Sequence, residues 1–171
     1  MAIVLGLMTV QHVAAASYDQ VWIENYFISC EEVSIKKVWT INGINYVRER
    51  HLKGEVISNT DFNTGEATNM ENTNVELGTG YGTFFGRLEM YPKAYPDGGW
   101  KGYFFIKGLP GDQTGSAWLR GTGSLSGYYT KSSVKHVPGS TLHKLFPDAC
   151  DGNMPVGGSH GKGFVVLPND D

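Results

Sequence analysis

The sequence has little of several features that mark large classes of proteins. It contains two cysteines, and its 14 lysines and arginines are outnumbered by 17 aspartates and glutamates, which gives a formal net charge of −3. Nucleic-acid binding normally needs a basic excess that neutralises phosphates, so the charge balance argues against nucleic acid as a partner. No apolar run approaches the roughly 20 residues of a membrane-spanning helix, and no stable membrane span is expected.

Helical periodicity is also nearly absent beyond the first residues. Few windows place apolar residues three and four positions apart without an intervening Gly, Pro or Asn. Glycine is abundant instead, with 23 among 171 residues, and aromatic residues make up 12%. Aromatic and β-branched runs separated by glycine turns are typical of short strands. With 40% hydrophobic residues the chain can bury one core, so we expect a single domain.

Strand-forming runs recur from residue 21 onward, and we count about eight with short connections. The clearest turn signal is Asn42-Gly43, which predicts a hairpin. Regular spacing of this kind favours an all-β, antiparallel barrel over alternating strands and helices. Prolines interrupt the sequence beyond Tyr129, so we expect an irregular, extended C-terminal tail from about residue 130.

The block from residue 43 to residue 129 has a regular rhythm of glycine and aromatic residues. The motifs are Gly78-Thr79-Gly80-Tyr81-Gly82, Gly99-Trp100-Lys101-Gly102-Tyr103 and Gly121-Thr122-Gly123. This rhythm resembles that of the small antiparallel barrels grouped with allene oxide cyclase and dirigent-type proteins, which include uncharacterised secreted bacterial members. The resemblance implies a closed barrel of about eight strands around a hydrophobic cavity, and it carries over no catalytic residue.

The first residues have the order of a secretory signal. An apolar stretch over residues 2–10 is followed by the small residues Val13, Ala14, Ala15 and Ala16, although no Lys or Arg precedes it. A buried N-terminal strand is the alternative interpretation. We expect a signal peptide over residues 1–16, a β-barrel domain over residues 17–171, and a secreted or periplasmic location.

The two cysteines, Cys30 and Cys150, lie near the two ends of the mature chain. In an exported protein they can form a disulfide, and two unpaired thiols are the alternative. Neither cysteine has the Cys-x-x-Cys or Cys/His spacing of a zinc site. The histidines of the tail also match no ligand motif, so we expect no metal and no cofactor; they are His136, His143 and His160.

Alternation along the strands predicts which side chains face the interior. In three of the strands, every second residue counted from Phe84, from Trp100 and from Ala117 is mainly apolar. We expect these side chains to face the barrel interior. We take Trp100, Phe104 and Trp118 as candidate ligand-binding walls of the cavity. An exposed stacking platform for carbohydrate is a second interpretation of the tryptophans, and core packing is the simpler expectation.

The densest group of ionisable residues lies in the strand after the predicted hairpin. Alternation puts four of its side chains on one face: Tyr46, Arg48, Arg50 and Leu52. If this face points inward, Arg48 becomes a buried cation that needs a carboxylate partner. The candidate partners are Glu55, Glu76 and Glu89. Cross-strand ion pairs on the exterior are the alternative.

Three functions remain open at this stage. The first is an exported barrel that binds a small apolar molecule in its interior. The second is a cyclase-like or isomerase-like enzyme whose cavity folds a flexible substrate, with Arg48, Glu89 and Arg120 as catalytic candidates. Alternation places Glu89 and Arg120 on the outward faces of their strands. They can contribute to the cavity only if that inward and outward assignment is reversed. The third is an extracellular structural or self-assembling β protein, and formation of a homo-oligomer stays open.

Overall fold

The computed structural model describes residues 19–168, so the predicted signal peptide over residues 1–16 lies outside the described residues. Eight strands pair antiparallel in sequence order, and the last pairs with the first to close a barrel. The all-β prediction is confirmed. The strands are β1 (Gln20–Ile41), β2 (Ile44–Ser58), β3 (Gly65–Glu76), β4 (Gly82–Pro92), β5 (Gly98–Gly108), β6 (Thr114–Gly123), β7 (Tyr129–Val137) and β8 (Gly157–Val166).

The first hairpin forms where the sequence predicted it. Asn42 and Gly43 have φ angles of 51° and 74°, so both residues are in the left-handed region. Two consecutive positive φ angles match the right-handed twist of the flanking strands, and Asn-Gly is the pair that tolerates them best. This turn joins the two longest strands, β1 and β2.

The chain beyond residue 130 completes the barrel, and its irregular part is confined to residues 138–156, between β7 and β8. Glycines that indicated an extended tail lie inside β8. At Gly158 a Cβ would collide with the carbonyl oxygen of Phe27, and at Gly163 with the carbonyl oxygen of Lys131. These glycines therefore permit close pairing of β8 with both neighbouring strands.

One end of the barrel, here called the closed end, is filled by a hydrophobic core. Trp100, Ile23 and Leu125 are fully buried there, and the partly buried rings of the adjoining loops pack against them. The indole Nε1–H of Trp100 donates a hydrogen bond to the carbonyl of Phe62 at 2.7 Å. The core thus satisfies its only indole donor while excluding water from this end.

The segment between β7 and β8 packs against the outside of the barrel. It contains α1 (Gly139–Leu145) and a short 3-10 helix (Ala149–Gly152), and buried Leu142 contacts the cluster around Ile28 of β1. A disulfide joins Cys30 to Cys150, as the sequence predicted. The Cys150 amide also donates to Glu55 Oε1 at 2.6 Å. A disulfide is consistent with an oxidising compartment. No helix among the described residues is long and apolar enough to cross a membrane.

Candidate functional site

The barrel interior contains a cavity of about 110 Å³ between the closed end and the opposite end, here called the open end. Most of its walls are inward-facing apolar side chains, among them Phe27, Leu52, Leu88, Phe104 and Leu119. An engineered apolar cavity of roughly 150 Å³ is large enough to bind benzene. The barrel cavity has about three quarters of that volume, so it suits one ring of the size of benzene at most, with any substituent extending toward the open end.

A charged group lies where the cavity approaches the open end. Arg50 Nε is 2.5 Å from Glu32 Oε2, and Arg50 Nη1 is 3.5 Å from Glu71 Oε1. The Arg50 side chain keeps 26% of its surface exposed, so water reaches the cavity from this end. Burial raises the pKa of Glu71, and the neighbouring guanidinium of Arg50 only partly opposes this effect.

Two buried polar atoms in the cavity wall have no hydrogen-bond partner among residues 19–168. They are Asn69 Oδ1 and Thr130 Oγ1, on β3 and β7, and their residues are 7% and 3% exposed. A buried polar atom left unpaired costs about 1–3 kcal/mol, so such atoms are uncommon without a reason. A bound molecule with its own polar group would supply the missing hydrogen bond.

His136 of β7 adds a neutral polar ring to the wall. Its imidazole stacks on Phe84, with ring centroids 5.9 Å apart, and both residues line the cavity. Burial lowers the pKa of His136, so the ring is uncharged at neutral pH. A neutral imidazole offers one N–H donor and one nitrogen acceptor.

Arg48 lies on the opposite face of β2 from Arg50, so the prediction that both share one face is wrong. The cause is a β-bulge: Val47 is opposite Thr73, but Arg50 is opposite Glu71, which leaves two residues of β2 facing one of β3. The extra residue, Glu49, has a φ of 50°. A bulge interrupts the alternation of side chains, and nothing in the local sequence announces it.

The guanidinium of Arg48 is held on the outside of the barrel. Its Nη1 donates to the carbonyls of Val47 and Thr73 at 2.8 and 2.9 Å, and the group lies over the rings of Trp39 and Tyr46. The carboxylate partner proposed from the sequence is not found among the described residues. These contacts position Arg48 without giving it access to the cavity.

The other two catalytic candidates also lie outside the cavity. Glu89 accepts a hydrogen bond from the Tyr91 hydroxyl at 2.6 Å and pairs with Lys101 at 3.2 Å. The hydrogen bond from Tyr91 lowers the pKa of Glu89. Arg120 is exposed on β6. The structure therefore brings Arg48, Glu89 and Arg120 neither to the cavity nor to one another.

The three aromatic candidates occupy three different environments. Phe104 lines the cavity, as predicted. Trp100 belongs to the core of the closed end, where it is fully buried. Trp118 is 47% exposed on the outer face of β6, because its neighbour Ala117 takes the inward position. One of the three predicted walls is therefore a wall of the cavity.

Sequence reasoning missed the polar residues of β3 that face the cavity. Residues 59–69 are rich in Asn and Thr, a composition typical of loops, whereas β3 begins at Gly65 and presents Asn69 and Glu71 inward. Asparagine and threonine are weak strand formers, and pairing with strands on both sides overrides that preference. The stretch from Ala67 to Thr73 has no alternation of apolar and polar residues that would have identified them.

The described residues offer little to a metal ion. The candidate ligand group found among them is Cys30, Glu55 and Cys150, and its two sulfurs are already joined in the disulfide.

Comparison with known proteins gives no match: no family model, no curated protein and no solved structure matches this chain. The similarity to allene oxide cyclase and dirigent-type barrels therefore stays an expectation from the sequence.

Proposed function

We propose that this chain is an exported barrel protein that binds a small, mainly apolar molecule in its interior cavity. The observation that carries the proposal is the combination of apolar walls with two buried, unpartnered atoms, Asn69 Oδ1 and Thr130 Oγ1. Ligand sites in proteins are typically apolar pockets with a few polar groups that fix orientation. The ligand would fill the apolar space and hydrogen-bond to one of these atoms.

The charges at the open end favour a neutral ligand with a hydroxyl group. Two carboxylates, Glu32 and Glu71, face a single guanidinium, and Arg50 is already engaged by both. A carboxylate ligand would meet net negative charge there. A hydroxyl group can instead donate a hydrogen bond to Asn69 Oδ1 or accept one from the Thr130 hydroxyl on the opposite wall.

Calorimetric titration with three probes of similar size tests this proposal. Toluene supplies only the apolar ring, benzyl alcohol adds a hydroxyl, and benzoate adds a carboxylate. We expect benzyl alcohol to bind with a dissociation constant at or below about 1 mM, toluene more weakly, and benzoate not at all. Failure of both neutral probes to bind would contradict interior binding.

A pair of adjacent substitutions locates the bound probe. Ala117 lines the cavity, so Ala117→Leu fills it, whereas Ser116 precedes Ala117 and points away from the cavity. We expect A117L to abolish binding of benzyl alcohol and S116L to leave it unchanged. Equal binding by the two variants would place the probe elsewhere.

Export rests on the signal-like segment over residues 1–16 and is supported by the disulfide between Cys30 and Cys150. Native mass spectrometry without reductant, on protein collected outside a bacterial host, tests it. We expect a chain cleaved after Ala14 or Ala16 with no free thiol. A full-length chain retained in the cytoplasm would contradict export.

Acid–base chemistry at Glu71 is a second candidate function, in line with the isomerase-like alternative. Glu71 faces the cavity, and its raised pKa makes the carboxylate a stronger base than an exposed one. Exchange of the α-protons of cyclohexanone into heavy water, followed by NMR, tests it. We expect Glu71→Gln to reduce the protein-dependent exchange at least tenfold, and an unchanged rate would exclude Glu71 as the base.

A further inference from the structure

A second concave surface lies on the outside of the barrel, across β3 to β6. It has a volume of about 530 Å³ and is mostly apolar. Its lining includes Asn72, Phe85, Arg87, Tyr103, Phe105 and Trp118. We call this surface the outer groove. It lies on the opposite side of the sheet from the cavity, so it is independent of the proposed interior site.

The aromatic rings of the outer groove are paired across neighbouring strands. Phe85 is opposite Phe105, and Tyr103 is opposite Trp118. The Cβ atoms of directly opposite residues lie about 5 Å apart, so the four side chains share one patch of the outer face, although none of their rings stacks on another. Tyr103 is 60% and Trp118 is 47% exposed. A large exposed aromatic patch on a soluble domain commonly marks an interaction surface.

Two guanidinium groups accompany these rings. Arg87 lies 5.9 Å from the centroid of Tyr103, and Arg48 lies 5.8 Å from that of Phe85. Within residues 19–168 neither arginine forms an ion pair with a carboxylate, although the whole sequence carries a net charge of −3. The outer groove therefore combines ring faces with two guanidinium groups that form no direct ion pair in the described part of the chain, and Glu89, the carboxylate that interacts electrostatically with Arg87, is already paired with Lys101.

We propose that the outer groove binds an acidic oligosaccharide. A sugar ring presents a face of C–H groups that can stack on an aromatic ring, and its carboxylate can form a bidentate pair with a guanidinium. The four rings span two strand spacings, from β4 to β6, and the outer groove as a whole spans three, from β3 to β6, or about 14 Å. That length accommodates about three sugar rings, with Asn72 placed at one edge for their hydroxyls.

The charge of the outer groove favours this ligand over two others. A bilayer-binding surface carries several basic residues for the anionic headgroups, whereas Arg87 is the one cation among the described residues that line the outer groove, with Arg48 beside it. A protein that binds single-stranded nucleic acid places a row of basic residues along the path of the phosphate backbone. The outer groove is instead flanked by two basic residues, Arg48 and Arg87. Sparse charge between aromatic rings suits a chain of uronic acid sugars.

Calorimetry with trigalacturonate and neutral maltotriose tests the proposal. We expect trigalacturonate to bind and maltotriose to bind at least tenfold more weakly. Added salt should lower the affinity for trigalacturonate, because it screens the attraction between charges. Trp118→Ala should weaken trigalacturonate at least tenfold. Trp22→Ala is the matched control, because Trp22 is 45% exposed and packs on Phe164 away from the outer groove.

A second matched pair tests the charge. Arg87→Gln should weaken trigalacturonate three- to tenfold and leave maltotriose unchanged, whereas Arg120→Gln, outside the outer groove, should change neither. Thermal unfolding of each variant verifies that it is folded. Equal binding of the two sugars, equal effects of W118A and W22A, or no binding of either sugar would overturn the proposal. Binding only to oligo-dC or to phosphatidylserine vesicles would also overturn it.

Discussion

The two ends of the barrel are built for different purposes. At the closed end Trp100 is fully buried and its indole donor is satisfied by Phe62. Near the open end Arg50 and Glu71 are in contact with the cavity, and Asn69 leaves a buried acceptor unpaired. Unpaired polar atoms destabilise a fold unless other regions compensate. The loop over the closed end also buries Asn63 with both side-chain amide atoms unpaired. The two ends therefore differ in what faces the interior: apolar packing at the closed end, and polar and charged groups lining the cavity toward the open end.

The largest expected effect concerns the disulfide, which ties the segment before β8 to β1 near the open end. Cys30 and Cys150 are 120 residues apart. Replacing both by serine removes a constraint on the unfolded chain that is worth about 5 kcal/mol from loop-closure entropy. Urea unfolding under non-reducing conditions measures the loss, and reduction of the unsubstituted protein should reproduce it. A loss below about 1 kcal/mol would contradict this account of the open end.

The next effect compares the two ends directly. We expect Trp100→Ala to lower the free energy of unfolding by about 4 kcal/mol, because it leaves a void in a filled core. Phe104→Ala should lower it by about 2 kcal/mol, because Phe104 borders space that is already empty. Chemical denaturation of both variants measures the difference. Equal losses would show that the closed end has no special role in stability.

A smaller effect has the opposite sign. Thr130→Val replaces an unpaired, buried hydroxyl by a methyl group of similar size. We expect the free energy of unfolding to rise by about 1 kcal/mol and the binding of benzyl alcohol to weaken. Ser132→Ala, on the same inward face of β7, is the control for loss of a hydroxyl. A Thr130→Val protein that is less stable would show that the hydroxyl has a partner in solution.

The smallest effect is a dependence on pH. The pKa of His136 is lowered from its ordinary value of 6.5 in the folded state, so the unfolded chain binds this proton more readily. Stability should therefore fall as the pH drops below about 6.5. Thermal unfolding of His136→Gln between pH 5 and pH 8 should lack this component. An identical pH profile for both proteins would contradict burial of the ring.

Glu71 should contribute a pH dependence in the reverse direction. Its pKa is raised from the ordinary value of 4.5, so the folded protein holds the proton more tightly than the unfolded chain. Its contribution to stability is present at low pH and is lost as the pH rises above about 4.5. In the same experiment Glu71→Gln should lose less stability over that rise. A steeper loss would indicate that Arg50 controls the pKa of Glu71.

The strand pattern of the fold could be predicted because it depends on local signals. Asn42-Gly43 marked the first turn, and the runs around Phe84, Trp100 and Ala117 alternated as their burial now shows. Cys30 and Cys150 are the two cysteines of the sequence, so their pairing was the one intramolecular disulfide that could be predicted. Fold class was therefore accessible from composition, turn chemistry and alternation.

The site was less accessible, because it depends on departures from those patterns. Glu49 adds one residue to β2 and moves Arg48 outside while Arg50 points inward. The inward residues of β3 are asparagine and glutamate, which a propensity argument assigns to loops. Closure of the barrel, a property of the whole sheet, decides where both sets of side chains point.

A crystal structure of the oxidised protein grown with benzyl alcohol tests the central claim most directly. The account predicts electron density for one ring inside the barrel, with its hydroxyl within hydrogen-bond distance of Asn69 Oδ1 or Thr130 Oγ1. Density for the alcohol only on the outer surface, with Leu52, Leu88 and Phe104 closed over the cavity, would contradict it.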